Sequence, residues 1–95
     1  MGYPMMNIRD LPRKTRLIQL AEESAELAQA ALKTVRAMDG DTPVSESEAL
    51  AHLIEEMADV SVCMTALQDT APLAQVGEII NQKARRWEDR INGKG

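Results

Sequence analysis

Phenylalanine is absent from this chain, and tryptophan and tyrosine occur once each, as Trp87 and Tyr3. That excludes a core built on aromatic rings and leaves few partners for stacking on a nucleobase. Cysteine is nearly absent too. The lone Cys63 has no internal partner for a disulfide, and its place in an apolar periodic stretch suits core packing in a reducing compartment. Long hydrophobic runs are lacking. The opening residues, MGYPMMNIRD, hold no apolar run of signal-peptide length, and no segment approaches the length that crosses a bilayer. The expectation is a soluble, cytoplasmic protein with no membrane partner. Positive charge is in deficit: the formal net charge is -4. A nucleic-acid partner is not expected, because such affinity comes from Lys and Arg neutralising phosphates.

What is present is helix-forming. Hydrophobic residues make up 44% of the chain and are Ala, Leu, Ile, Val and Met, most of them good helix formers or flexible core fillers. No strand-like alternation interrupts them, so the fold class is read as all-α. Breakers cluster at Pro4 and Pro12, at Asp39 to Pro43, at Asp69 to Pro72 and at Gly93. Between them lie three helical segments. The first runs from about Arg13 to Met38, with Leu17, Leu20, Ser24, Leu27, Ala31 and Val35 recurring at three- and four-residue steps. The second begins near Ser45, where Ser45 and Glu48 fit a capping box, and carries Leu50, Leu53, Met57, Val60, Met64 and Leu67 to about Gln68. The third follows Pro72 with Leu73, Val76, Ile80, Ala84, Trp87 and Ile91, until Gly93 stops it. Residues 1–12 read as an N-terminal arm and residues 13–95 as a single domain. A chain of 95 residues buries a modest share of its surface alone. The expected architecture is therefore a helical hairpin plus a third helix, in a bundle completed by oligomerisation as a homodimer or homotetramer.

Acidic residues are patterned. The first helix holds Glu22, Glu23 and Glu26, and the second holds Glu55, Glu56 and Asp59. On a helical wheel the apolar stripe of the first helix centres roughly 90° to one side of Glu23, with Glu26 about 60° and Glu22 about 100° to the other side. The second helix repeats the picture around Glu56, with Asp59 and Glu55 on the outer side. Acids at such spacings are often a plain solvated face. Two matching sets at the edge of two apolar stripes are less ordinary. Carboxylates brought together beside a buried stripe repel one another unless protonated or bound to cations. A hard ion such as Mg²⁺ takes oxygen ligands, and residues three apart on a helix can both reach it. Glu55 points furthest outward and needs no role beyond solvation.

The order E-E-x-x-E then E-x-x-D, here Glu22-Glu23-Ser24-Ala25-Glu26 and Glu56-Met57-Ala58-Asp59, resembles the MazG-like all-α nucleoside triphosphate pyrophosphohydrolases. The surrounding stretches LIQLAEESAELAQAALK and LIEEMADVSVCM are similar to that family's two metal-binding helices. Further on, Asn81, Lys83 and Arg86 match its N-x-K-x-x-R, so the likeness spans about Leu17 to Trp87. It implies that Glu23, Glu26, Glu56 and Asp59 hold Mg²⁺, with Mn²⁺ as the substitute ion. Glu22 is implied to serve a further metal ion or the attacking water, Glu22 or Glu23 to be the catalytic carboxylate that orients or deprotonates that water, and Asn81, Lys83 and Arg86 to be the phosphate-binding residues. The implied reaction converts a nucleoside triphosphate and water to the monophosphate and pyrophosphate. One departure concerns the substrate: the family often has a further segment before the first acidic helix that covers the base, and here only about a dozen breaker-containing residues precede it.

Two other readings compete. A di-iron or di-manganese carboxylate bundle also sets acids on facing helices, but it needs Glu-x-x-His pairs, and the one histidine, His52, does not follow a glutamate by three. His52 reads as a residue of the polar flank, one turn before Glu56. The alternative function is non-catalytic: a helical dimer acting as a regulatory or interaction module. The cationic cluster Lys83, Arg85, Arg86 and Arg90 also has a plain explanation, since positive charge favours the last turns of a helix.

Overall fold

The computed structural model describes residues 7–93, and within them the chain is helical with no strand. A 3₁₀ turn, Ile8–Asp10, precedes three helices: α1 (Arg13–Met38), α2 (Glu46–Ala66) and α3 (Leu73–Ile91). The arm expected over residues 1–12 therefore contains a turn, closed by the Asn7 N–H donating to Asp10 Oδ2 at 2.8 Å. Tyr3 and Pro4 fall outside the described residues.

Each boundary has a local cause. After α1, Gly40 takes a φ of 74°, which the missing Cβ allows. The Asp41 N–H then reaches the Arg36 carbonyl at 2.9 Å and the Gly40 N–H the Ala37 carbonyl at 3.2 Å, the paired bonds that close a Schellman end. Five residues after Gly40, the Ser45 hydroxyl accepts from the Glu48 N–H at 3.2 Å, so Ser45 caps α2 from outside, and Glu46 and Glu48 suit its positive end. Pro72 stands at the N-cap of α3.

The loop over residues 39–45 turns the chain back, and α1 and α2 pack as an antiparallel pair. The seam between them keeps part of the expected stripes, Leu20 and Leu27 of the first and Leu53, Val60, Met64 and Leu67 of the second, and replaces the rest. On α1 the sequestered positions are Arg16, Leu20, Glu23, Leu27, Ala30, Thr34 and Ala37. On α2 they include Ala49, Leu53, Glu56, Val60 and Cys63, with Leu67 continuing the series at the C-cap. Both run at alternating steps of four and three, the spacing of a coiled-coil seam. Leu17 and Val35, members of the expected stripe, are instead 45% and 52% exposed. The reason is size. Ala30, Thr34 and Ala49 are small and nearly fully buried, and small side chains let two helices approach. The Thr34 hydroxyl donates to the Ala30 carbonyl at 2.8 Å, so its polar atom is satisfied within α1.

One end of the hairpin is tied by a buried arginine. Arg16 donates to the Leu11 carbonyl at 2.9 Å, to the Ala66 carbonyl at 2.8 Å, and to both carboxylate oxygens of Asp69 at 2.7 and 3.0 Å. This bidentate pairing uses the planar fork that distinguishes Arg from Lys. It locks the start of α1 to the end of α2.

The third helix leans on the hairpin only at its first turns, where Leu73 and Val76 meet Leu20, Met64 and Leu67. Its apolar stripe then runs out into solvent: Ile80 is 57% exposed, Trp87 64% and Ile91 83%. The radius of gyration, 17.6 Å, exceeds the roughly 12 Å of a compact chain of this length. None of the described helices is long and apolar enough to cross a membrane.

Candidate metal centre

Midway along the hairpin the seam becomes acidic. Glu23 of α1 and Glu56 of α2 both occupy seam positions, where an apolar side chain would ordinarily pack. Asp59, one turn after Glu56, joins them from the exposed side. One ligand atom from each of Glu23, Glu56 and Asp59 lies within 4.8 Å of the others. Glu26 lies on the exposed flank, close enough to Glu23 for its charge to act on that carboxyl. The antiparallel pairing thus brings Glu23, Glu56 and Asp59 to one place, with Glu26 a neighbour of Glu23 outside that trio. Glu22 is exposed beside them.

Both seam carboxylates are held on one side and bare on the other. Gln19 Nε2 donates to Glu23 Oε1 at 2.9 Å, and His52 Nε2 stands 3.2 Å from Glu56 Oε1. Glu23 Oε2 and Glu56 Oε2 are buried without a hydrogen-bond partner. Glu56 is only 8% exposed. A buried carboxylate oxygen with no donor is costly, so two of them side by side demand an explanation.

The electrostatics agree with the geometry. Burial holds the Glu23 carboxyl above its ordinary pKa, and the Glu26 charge pushes the same way; the Gln19 hydrogen bond opposes both. Burial likewise raises the Cys63 thiol, with a further push from Glu23 and Asp59. The thiol is not one of the groups that converge. What remains is an all-oxygen donor set with two unpartnered buried oxygens. That set suits a hard divalent cation such as Mg²⁺ or Mn²⁺ and does not suit a soft one.

No protein-family model, curated protein or solved structure matches this chain. The functional reading therefore rests on its own residues.

Beside the cluster, α1 and α2 open into a groove of about 460 Å³ lined by Glu26, Gln29, Lys33, Arg36, His52 and Glu56, among others. Its size is that of a small-molecule site. Asn81, Lys83 and Arg86 are exposed on α3, and none of them lines this groove. Lys33 and Arg36 drew no notice in the sequence, because their relation to the acids depends on how α1 and α2 register. A step of seven from Glu26 to Lys33 was the one available signal, since it places both on one helix face.

Proposed function

We propose that the chain is a Mg²⁺-dependent nucleoside triphosphate pyrophosphohydrolase, of the MazG-like kind its acidic motifs resemble. The observation that carries this reading is the unpartnered oxygen of buried Glu56 beside Glu23 and Asp59. A hairpin selected for stability alone has no reason to keep two carboxylates in its seam, each with one buried oxygen unpartnered.

In this reading Glu23, Glu26, Glu56 and Asp59 hold the cation, and Gln19 and His52 fix the rotamers of the two seam carboxylates. Bound there, Mg²⁺ supplies charge neutralisation for phosphate oxygens and a more acidic water. Exposed Glu22, or Glu23 itself, orients the attacking water and takes its proton. A water oxygen–phosphorus bond forms, the anhydride between the α- and β-phosphates breaks, and pyrophosphate leaves. No covalent nucleophile is needed. Asn81, Lys83 and Arg86 would reach the phosphates from α3 of a second copy, which fits the uncovered stripe of that helix and assembly as a homodimer or homotetramer.

The deciding experiment is pyrophosphate release from a panel of ribo- and deoxyribonucleoside triphosphates, with Mg²⁺, with EDTA, and with Glu56→Gln. Release that needs the metal and is lost in the variant is the expected result. No release from any triphosphate, together with no Mg²⁺ heat in calorimetry, would leave the chain as a helical interaction module.

A further inference from the structure

The groove beside the carboxylates contains two cations to which the reading above gives no task. Glu26, Gln29, Lys33 and Arg36 succeed one another along α1 at steps of three and four, all facing the same cavity. Lys33 lies about 10 Å and Arg36 about 15 Å beyond Glu26 along the helix axis. Helical side chains lean toward the N-terminus, so both cations incline toward the acidic end. Among the described residues, neither is within ion-pairing distance of an acid. The groove therefore has the carboxylates Glu26 and Glu56 at one end, with His52 beside Glu56, and two cations without an acidic partner at the other, about two helical turns apart.

A simple anion is repelled by the first end and a simple cation by the second. A polyphosphate chelated to a divalent cation presents both complements in one molecule. The cation sits among the carboxylates, and the trailing phosphate oxygens extend toward Lys33 and Arg36. We propose that Lys33 and Arg36 bind the phosphates of a metal-chelated polyphosphate, so that this chain grips the tail of its substrate with cations from its own hairpin. Gln29, between the acids and Lys33, offers an amide donor to the same oxygens. The inference rests on the metal reading of Glu23, Glu26, Glu56 and Asp59.

Inorganic tripolyphosphate tests this without reference to any base. Its binding in the presence of Mg²⁺ is measured by calorimetry for the parent, for Lys33→Gln/Arg36→Gln, and for Arg85→Gln/Arg90→Gln, which removes the same charge elsewhere. Mn²⁺ binding alone and thermal melting are measured in parallel. The groove variant is expected to bind tripolyphosphate about tenfold or more weakly, as loss of charge-assisted hydrogen bonds implies. Its salt dependence should be shallower, and its Mn²⁺ affinity and melting temperature should match the parent. The control variant should bind tripolyphosphate like the parent. Mn²⁺ uptake with tripolyphosphate affinity untouched in the groove variant, or an equal loss in the control, overturns this inference alone. A parent that takes up no Mn²⁺ overturns the metal reading and this inference with it.

Discussion

Glu56 stands where stability and the proposed chemistry pull in opposite directions. It is 8% exposed, occupies a seam position between Leu53 and Val60, and leaves one oxygen without a donor. Leucine at this position would pack against α1 and remove the bare acceptor. In metal-free protein, Glu56→Leu should therefore raise stability by about 2 kcal/mol, a shift of several degrees in melting temperature for a chain of this size. Loss of the His52 contact subtracts little, because that side chain is 46% exposed and exposed pairs contribute weakly. Added Mn²⁺ should stabilise the parent by mass action and leave the variant unchanged. Differential scanning fluorimetry with and without Mn²⁺ reads both effects. A variant less stable than metal-free parent would mean that Glu56 has a partner that keeps it content without an ion.

At the scale of the helices, the Arg16 clamp decides how firmly the hairpin closes. Its guanidinium holds the Asp69 carboxyl below the ordinary carboxylate range, chiefly through the side-chain hydrogen bonds and then through charge. A carboxyl lowered on folding contributes stability that is complete above its unfolded pKa. That contribution disappears as pH falls through the lower folded value. Parent protein should thus lose melting temperature on acidification below pH 3.8, the ordinary value for such a group. Asp69→Asn should start less stable at neutral pH and show a flatter decline over that acid range. Parallel curves for the two proteins would remove Asp69 from the account.

The helices themselves were legible from spacing: the expected first segment, Arg13 to Met38, is α1 to the residue, and the Ser45 hydroxyl caps α2, though the return bond from the Ser45 N–H to the Glu48 side chain that completes a capping box does not form. Which face each helix buries was legible only in part: Leu53, Val60, Met64 and Leu67 are sequestered as expected, whereas the α1 seam departs from its stripe. Apolarity ranks Leu17 and Val35 above Arg16 and Thr34, yet the pair closes on Arg16, Ala30 and Thr34. Close approach is a property of two facing helices and is invisible in one. Burial of Arg16 depends on Asp69, 53 residues away. The same holds at the candidate site. The acids were found because each set is local to one helix, whereas the groove cations Lys33 and Arg36 gain meaning only once α2 lies alongside.

The whole molecule has one conspicuous imbalance, the growing exposure of the α3 stripe from half-buried Leu73 and Val76 to Ile91 at 83%. α2 adds Ile54 at 65% and Met57 at 53%. An amphipathic helix draws most of its stability in water from packing its apolar face, so α3 past Val76 lacks the main support a helix needs. A second copy supplies the same unfilled surface in return, which is the self-complementary arrangement of a two-fold pair. Assembly should follow. Parent protein is expected to sediment as two or four chains, with a melting temperature that rises with concentration. Ile80→Glu tests the face directly, because in a lone chain that side chain is already 57% exposed and a charge there would change little. In an assembly it buries an unpaired carboxylate, so the variant should sediment as one chain and lose the concentration dependence. Hydrogen exchange of α3 amides should then quicken past Val76 while the α1–α2 seam keeps its protection. A parent that sediments as a single chain with a concentration-independent melt would show that α3 stands without a partner, and would remove the route by which Lys83 and Arg86 reach the groove.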